Sequence, residues 1–328
     1  MASFFFAFVF CTHFVLAEDI VAGGKFIAKD TLNCAVDSLA DAAACIDGLR
    51  WTPADFAVGI EHARGQGDWL VRFPTPIPSG DDTNDSVAME WHMTRSADGK
   101  PKLAPAIVIV HESGRGMVAG RIFAQGLRPY GFHTFLIHLP GYGVRTSALT
   151  GDPSKMLPAL KQAIADVRRA RDAVAALPFV DKTLVGLQGT SLGGFVTATV
   201  AGLDRGYDRT FILLAGGNIA DVILTGTRDA AGLKRRLTEA GITEAQIRQH
   251  SQDIEPLRMA HRIDANTTWL FTGLKDEVVP PACSIAFATA GRLTKDHHIQ
   301  LPVGHYTAAI LMPLILPRIN ELMRAPGK

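Results

Sequence analysis

Beyond residue 100 the chain alternates short apolar, β-branched runs with longer stretches of helical periodicity, and this alternation limits its fold more than any other feature. The clearest helical stretch, residues 155–177, has one apolar stripe and is followed by Pro178. Near-continuous apolar strands separated by helices are typical of a parallel sheet that is covered on both faces. The predicted fold class is therefore α/β, with a mostly parallel central sheet and helices on both faces. The runs that predict its strands are residues 106–110, 134–138, 184–188, 211–215, 268–272 and 298–301.

The part of the chain before residue 100 gives weaker signals. Residues 69–73 and 86–93 predict antiparallel edge strands, separated by a polar turn at residues 80–85. Residues 31–49 have apolar side chains at helical spacing and predict one helix. Cys34 and Cys45 would lie about 16 Å apart along that helix, too far for a disulfide, so we expect them to behave, with Cys283, as small buried hydrophobes.

The N-terminus has the pattern of a leader. Residues 4–17 are mostly apolar, Val15 and Ala17 occupy the small-residue positions of a cleavage site, and two acidic residues follow. The run is too short for a transmembrane helix, which needs about 20 residues. We therefore predict a signal peptide at residues 1–17 and export to the periplasm or the medium; because no Lys or Arg precedes the run, a cytoplasmic protein is the alternative. No repeat or linker divides the remainder, so residues 18–328 are predicted to form a single domain.

A glycine-rich turn joins the predicted strand at residues 184–188 to a predicted helix at residues 192–203. Ser191 lies in this turn, flanked by Gly189 and Gly193 at positions where a β-carbon would collide across a sharp strand-to-helix elbow. Such an elbow strains the serine backbone and exposes its hydroxyl at a helix N-terminus. A third glycine, Gly194, lets the helix pack close to the sheet. The turn therefore predicts a nucleophilic serine.

A serine hydroxyl is a poor nucleophile until a base removes its proton, and that base needs an acid to hold it. Asp276 follows the predicted strand at residues 268–272, and His305 follows the predicted strand at residues 298–301. Ligands of parallel α/β sheets bind outside the carboxyl ends of the strands. All three side chains are therefore expected at one edge of the sheet.

With these motifs in the order serine, aspartate and histidine, residues 100–325 resemble the α/β-hydrolase superfamily. The resemblance implies that Ser191 is the nucleophile, Asp276 the orienting acid and His305 the general base. It also implies an oxyanion hole made by the backbone N–H groups of Leu192 and Ser113. The stretch His-Glu-Ser-Gly at residues 111–114 is similar to the corresponding loop of the dienelactone hydrolase and esterase group, although a strict dienelactone hydrolase has cysteine at the position of Ser191.

Four side chains near the expected site have two interpretations. Glu112 and Arg115 could contact substrate or form an ordinary ion pair at the rim. Tyr142 lies in a Pro-Gly-x-Gly loop and could face the substrate or simply complete a turn. For His111 a structural role is the better hypothesis, because one catalytic base suffices.

The connection between the strands predicted at residues 211–215 and 268–272 is longer than a crossover requires. We predict that residues 217–264 form a small helical insertion that acts as a lid. Asp253 and Glu255 in this segment could replace Asp276 as the acid, but they precede the strand, which favours helix capping instead.

The sequence thus predicts a serine hydrolase that cleaves a carboxylic ester of a small molecule through an acyl-enzyme. A serine peptidase or amidase, a hydrolase of another bond and a non-catalytic binding protein on the same scaffold are the alternatives. No cofactor is expected and no metal site, because His297 and His298 are adjacent in a strand and point to opposite faces. A net charge of +1 predicts neither a nucleic-acid partner nor a stable membrane association. The pattern gives no oligomeric state.

Overall fold

The computed structural model describes residue 20, residues 22–147, residue 152 and residues 155–325. The predicted signal peptide at residues 1–17 lies outside these residues, so it stays a prediction.

The described strands form one ten-stranded sheet in the order β1-β2-β3-β4-β6-β5-β7-β8-β9-β10. Neighbours from β1 to β4, and the pair of β4 and β6, run antiparallel. All pairs from β6 to β10 run parallel. The strands are β1 Lys25–Ala28, β2 Phe56–His62, β3 Trp69–Pro74, β4 Ser86–His92, β5 Ala104–Val110, β6 His133–His138, β7 Val180–Thr190, β8 Arg209–Leu213, β9 Thr268–Gly273 and β10 His298–Leu301.

Helices cover both faces of the parallel part. Alternate residues of a strand point to opposite faces, and here both sets are apolar and need to be buried. Ile107 and Ile109 of β5 pack with the α3 and α11 side chains, whereas Val108 and Val110 pack with those of α4 and α5. The predicted α/β architecture is confirmed. The helices are α1 Ala40–Leu49, α2 Asp82–Asp85, α3 Val118–Leu127, α4 Met156–Ala175, α5 Leu192–Asp204, α6 Ile219–Thr225, α7 Asp229–Glu239, α8 Glu244–Ser251, α9 Pro256–Met259, α10 Pro281–Ala290 and α11 Met312–Arg324.

The predicted strands are found, β10 with the predicted ends and the others with ends shifted by one to four residues. Strand β7 starts four residues earlier than predicted, and β8 ends at Leu213 rather than at residue 215. The two predicted edge strands are β3 and β4, paired antiparallel. Strands β1 and β2 are not among the predicted strands; they lie on the outer side of β3, so β3 and β4 are interior strands and their predicted position at the edge is wrong. Strand β1 has four residues, and the seven residues of β2 alternate buried with more exposed positions, so neither gives a continuous apolar run.

The single helix predicted over residues 31–49 is wrong, since α1 begins only at Ala40. Side-chain bonds compete with helix formation before that point: Asp30 accepts the N–H of Leu32 (3.1 Å) and Asp37 that of Leu39 (2.9 Å). Cys34 therefore precedes the helix, and the distance argument against its pairing with Cys45 loses its basis. The three described cysteines are nevertheless free thiols. Burial raises the pKa of Cys34, Cys45 and Cys283.

The insertion between β8 and β9 holds α6, α7, α8 and α9. Ile223, Leu237 and Ile247 form a small apolar cluster of its own within it. The segment is helical, as the sequence indicates; its action as a lid stays a prediction. Among the described residues, no helix combines the length and apolarity needed to cross a bilayer.

Candidate active site

The turn around Ser191 joins β7 directly to α5. Ser191 has φ +55° and ψ −117°, a backbone conformation that L-residues rarely adopt. Its N–H donates to the carbonyl of Leu213 in β8 (2.9 Å). The neighbouring strand therefore holds the serine in a strained conformation at the N-terminus of a helix.

Three glycines allow this turn to be so tight. A β-carbon on Gly189 would overlap the carbonyl oxygen of Gly193, and one on Gly193 would overlap that of Val110. On Gly194 it would come within 2.6 Å of the Ala215 side chain. Each glycine is thus required by close approach of neighbouring atoms, as the sequence predicts for an elbow.

Ser191, His305 and Asp276 form one hydrogen-bonded series. The hydroxyl of Ser191 donates to Nε2 of His305 (2.9 Å), and Nδ1–H of His305 donates to Oδ2 of Asp276 (2.7 Å). The other carboxylate oxygen of Asp276 accepts the N–H groups of Val278 and Val279, both at 2.9 Å. Together these four hydrogen bonds hold the Asp276 carboxylate and the His305 imidazole in one orientation.

Strand ends explain why these groups meet. Ser191 directly follows β7, Asp276 comes shortly after β9, and His305 shortly after β10. Parallel strands bring their carboxyl ends to the same edge of a sheet. The structure therefore brings together the three side chains that the sequence singles out; their catalytic roles stay predictions.

The two N–H groups expected in the oxyanion hole come from adjacent segments. Leu192 is the first residue of α5, and Gly193 lies against the backbone at the end of β5, just before the loop that carries Ser113. Among the described residues, neither the Leu192 nor the Ser113 N–H donates a hydrogen bond. Both donors are available, as the first N–H groups of a helix generally are.

Glu112 caps a helix, a role that the sequence does not suggest, and its contact with substrate stays a prediction. Its carboxylate oxygens accept the N–H groups of Ala119 (3.2 Å) and Gly120 (3.1 Å), so it caps the first turn of α3. The alternative of an ion pair between Glu112 and Arg115 is wrong, because the Glu112 carboxylate is turned to these amides and, within the described residues, forms no ion pair with Arg115. Arg115 is exposed, and its contact with substrate stays a prediction.

His111 and Tyr142 connect the loops after β5 and β6. Nε2 of His111 accepts the N–H of Leu139 (3.2 Å), and Nδ1–H donates to the carbonyl of Glu112 (2.6 Å). The ring of Tyr142 lies 4.6 Å from that of His111, and its hydroxyl donates to the carbonyl of Ser113 (3.0 Å). His111 is fully buried among these partners, in agreement with a structural role.

The two alternative acids have other partners. Asp253 forms a surface ion pair with Lys161 (3.0 Å). Glu255 accepts the N–H groups of Ile219 (2.8 Å) and Leu257 (3.0 Å), and burial raises the pKa of its carboxyl. Glu255 therefore caps α6 and α9, as the helix-capping alternative states.

The structure shows one contact near His305 that the sequence does not reveal. Tyr306 has its ring edge-on to that of His305 (5.4 Å between centroids), and the guanidinium of Arg228 lies over the Tyr306 ring at 5.1 Å. Thr227 beside it donates its N–H to the carbonyl of Glu277 (2.9 Å). The insertion thus touches the loops of both His305 and Asp276. Contacts across so many residues have no local sequence signal.

The described residues contain no cluster of side chains that could bind a metal ion. His297 bonds to the carbonyl of Thr268 (3.0 Å), and His298 to the hydroxyl of Thr272 (2.9 Å). Within residues 22–147 and 155–325, no group of three or more His, Cys, Asp or Glu side chains lies close enough to hold a metal ion.

Known proteins resemble the chain in sequence over one part and in structure over most of its length. The sequence model of the prolyl oligopeptidase family matches residues 127–305, which is more than half of the chain. A search of curated proteins by sequence found no match. Acetyl xylan esterase 1 from Thermoanaerobacterium sp. JW/SL YS485 superposes with a TM-score of 0.58 at 17% identity, covering 90% of this chain and 96% of that one.

Two further solved structures show the same likeness. The acetyl xylan esterase from Paenibacillus sp. R4 has a TM-score of 0.60 at 16% identity, covering 88% of this chain and 96% of its own. Est1E from Butyrivibrio proteoclasticus has a TM-score of 0.50 at 17% identity, covering 73% and 96%. At such identities the likeness shows the fold, which is that of the α/β-hydrolases.

Proposed function

Because the chain belongs to the prolyl oligopeptidase family and has the α/β-hydrolase fold, we propose that it cleaves a carboxylic ester of a small molecule through a serine acyl-enzyme. Membership of this family makes the chain a hydrolase. What we propose beyond this is that the cleaved bond is an ester, that Ser191 is the nucleophile and that an acyl-enzyme forms. The observation that carries it is the hydrogen-bonded series from Ser191 through His305 to Asp276.

In the first step His305 Nε2 takes the proton of Ser191 as Oγ attacks the ester carbonyl. The carbonyl oxygen becomes an oxyanion that the N–H groups of Leu192 and Ser113 stabilise. Asp276 keeps the imidazole in the required tautomer and stabilises the imidazolium that forms. His305 then gives its proton to the leaving alcohol oxygen, and Ser191 retains the acyl group.

In the second step water replaces the alcohol. His305 removes a proton from the water as its oxygen attacks the acyl-enzyme, and Ser191 leaves with that proton. The products are a carboxylic acid and the regenerated serine.

Two observations bear on which bond is cleaved. The acetyl xylan esterases from Thermoanaerobacterium and Paenibacillus share the fold over most of this chain, which supports an ester. The family that matches in sequence is named for oligopeptidases, which favours an amide or peptide bond as the second candidate. The same side chains serve both reactions.

Labelling with a fluorophosphonate probe tests the nucleophile. We expect the wild type to be labelled at Ser191, as identified by mass spectrometry of the modified peptide, and Ser191→Ala to remain unlabelled. Ser96→Ala, at an exposed turn distant in sequence, serves as the matched control and should label fully. Labelling that persists in Ser191→Ala would contradict the assignment, and an unlabelled wild type would support a binding protein.

Substrates with a common acyl group test the bond. An ester and an amide that differ only in the leaving atom are compared by kcat/KM, with acyl chains from acetyl upwards. We expect turnover of the ester, lost in Ser191→Ala. Turnover of the amide at an equal or greater kcat/KM would replace the esterase with the peptidase or amidase.

We also propose that the protein is exported. The N-terminal sequence of the protein isolated from its native source should begin at Glu18 if residues 1–17 are removed. A mature chain that retains residues 1–17 in the cytoplasm would contradict this.

A further inference from the structure

The peptide bond between Glu112 and Ser113 contains the N–H that the proposed mechanism uses as an oxyanion donor. In a trans peptide the C=O and the N–H point in opposite directions, so a group that holds the carbonyl also sets the direction of the N–H. The carbonyl of Glu112 accepts Nδ1–H of His111 at 2.6 Å. The Ser113 N–H is therefore directed away from the imidazole, and it donates no hydrogen bond among the described residues.

The tautomer of His111 is fixed by its second partner. The N–H of Leu139 can only donate, and it points at Nε2 of His111 (3.2 Å). Nε2 must then be unprotonated, which leaves the proton on Nδ1. Burial lowers the pKa of His111 to about 3, so the ring stays neutral. The charged or titratable side chains near the ring are Glu90, Arg121 and His138, and the Tyr142 ring lies against it.

Packing fixes the position of the same ring. A β-carbon on Gly120 of α3 would come within 2.8 Å of the His111 Cβ, so this glycine allows the helix to lie against the histidine. Tyr142 covers the imidazole on another side and bonds to the carbonyl of Ser113, the next peptide along the loop. Two consecutive peptides of the loop are thus each held by one aromatic side chain.

We propose that His111 is a positioning residue for the oxyanion hole, and that its Nδ1–H fixes the Glu112–Ser113 peptide so that the Ser113 N–H is presented to the developing oxyanion. This rests on the proposed function, since it concerns a donor of that same site. A hydrogen bond accepted at the carbonyl also polarises the amide, which strengthens its N–H as a donor. Nothing in this role requires His111 to exchange a proton with substrate.

Two substitutions, each of which places an amide group at the position of one ring nitrogen, separate the roles of Nδ1 and Nε2. In His111→Asn the side-chain amide nitrogen can occupy the place of Nδ1 and still donate to Glu112. In His111→Gln the polar atoms lie at the place of Nε2, and the donor to Glu112 is lost. Loss of a complete oxyanion donor lowers kcat by about 100- to 1000-fold, so a disoriented donor should cost about 10- to 100-fold.

We expect His111→Gln to lose about 10- to 100-fold in kcat with little change in KM, and His111→Asn to recover most of it. The affinity for an alkylboronic acid, which mimics the tetrahedral intermediate, should fall in parallel with kcat. Rates are expressed per site titrated with fluorophosphonate, so that misfolded protein is not counted. His133→Gln is the matched control. This buried histidine is the first residue of β6, at the end of the strand away from Leu139, and its loss should leave the rate per site unchanged.

Equal rates for the Gln and Asn variants, or boronate affinity that does not follow kcat, would overturn the proposal. The wild type supplies a test that does not depend on the folding of a variant. Nitrogen-15 NMR should show His111 as the Nδ1–H tautomer, unchanged between pH 5 and 9, and an Nε2–H tautomer would also overturn it. An unlabelled Ser191 in the wild type would instead refute the proposed function.

Discussion

The antiparallel and parallel parts of the sheet differ in what they contribute to the site. Ser191, Asp276 and His305, and both expected oxyanion donors, follow strands of the parallel part from β5 to β10. None of them comes from β1 to β4. Parallel strands all end at one edge, whereas antiparallel strands divide their ends between two. The direction of the strands, more than closeness in sequence, therefore determines which loops can build this chemistry.

The two parts also differ in how they are held. Backbone strain is confined to the parallel part: among the described residues, every non-glycine with positive φ lies at or beyond Met117. The N-terminal part is instead tied to α4 by buried charges. Arg169 of α4 pairs with Asp30 (2.8 Å), and the buried pair of Arg168 and Asp172 within α4 bonds to the hydroxyl of Thr31.

The largest effect should come from Asp276, at the active edge. In Asp276→Asn the side chain can no longer hold His305 in the tautomer that accepts the serine proton, and kcat should fall about 10⁴-fold. Glu255→Gln is the matched control, because this buried carboxyl caps two helices without touching His305. Steady-state kinetics on the ester substrate provide the measurement. A kcat for Asp276→Asn within tenfold of the wild type would assign the acid elsewhere.

This edge is also the part that could be predicted best from sequence. The elbow is recognisable because only glycine fits at positions 189 and 193. In the structure a β-carbon on Gly189 would overlap the Gly193 carbonyl, and one on Gly193 would overlap the Val110 carbonyl. Strands β5, β6, β8 and β9 and the second half of β7 are recognisable because they are buried on both faces and therefore mostly apolar, whereas β10, at the edge of the sheet, is only half-buried.

The remainder was not predictable for physical reasons. Strand β1 has only four residues, and the seven residues of β2 are buried on one side only, so neither forms the continuous apolar run by which the parallel strands were predicted. The capping of α3 by Glu112 depends on a loop that folds back on the helix, and the contact of Arg228 with Tyr306 joins residues distant in sequence. Periodicity carries no information about either.

A second prediction concerns the buried charges of α4, where Arg168 pairs with Asp172 of the same helix and with Asp204 of α5. Arg168→Met leaves the carboxylates of Asp172 and Asp204 buried without their partner, so the free energy of unfolding should fall by about 3–5 kcal/mol. Because these groups lie away from the active edge, kcat per titrated site should not change. Urea denaturation and active-site titration measure the two effects.

A surface pair provides the comparison for that substitution. Arg318→Met breaks the exposed ion pair with Glu321 and should cost less than about 1 kcal/mol. If both arginine variants lower the free energy of unfolding equally, burial of the charges that hold the N-terminal part makes no difference to stability.

Acid should weaken both parts alike. Burial lowers the pKa of His92 in β4 and of His133 in β6, and lowers that of His111 to about 3. Between about pH 6.5 and pH 5 the unfolded chain binds protons that the folded chain does not, so stability falls as the pH falls. Each such histidine contributes a slope of up to about 1.4 kcal/mol per pH unit.

Urea denaturation at pH 7, 6 and 5 measures this slope. His92→Gln should reduce it by the share of one group, even though His92 belongs to the antiparallel part. The acidic groups with lowered pKa, such as Glu90 at about 2, titrate only at lower pH. A free energy of unfolding that does not change between pH 7 and 5 would refute the prediction.

The smallest expected effect concerns the strain at Ser191 itself. A positive φ costs a residue with a β-carbon about 1–3 kcal/mol, and glycine avoids this cost. Ser191→Gly and Ser191→Ala both remove the hydroxyl and its bond to His305, so the difference between them isolates the backbone. The free energy of unfolding of Ser191→Gly should exceed that of Ser191→Ala by about 1 kcal/mol, although both variants lack activity.

The same pair of substitutions in the antiparallel part should give the opposite sign. Ser86, at the start of β4, has φ −88°, which any L-residue adopts without strain. Ser86→Gly should therefore be less stable than Ser86→Ala by about 0.5–1 kcal/mol, because glycine loses more conformational entropy on folding. Urea denaturation of the four variants measures both differences. If glycine is the less stable residue at both positions, the elbow stores no strain, and the contrast in backbone conformation between the two parts has no energetic consequence.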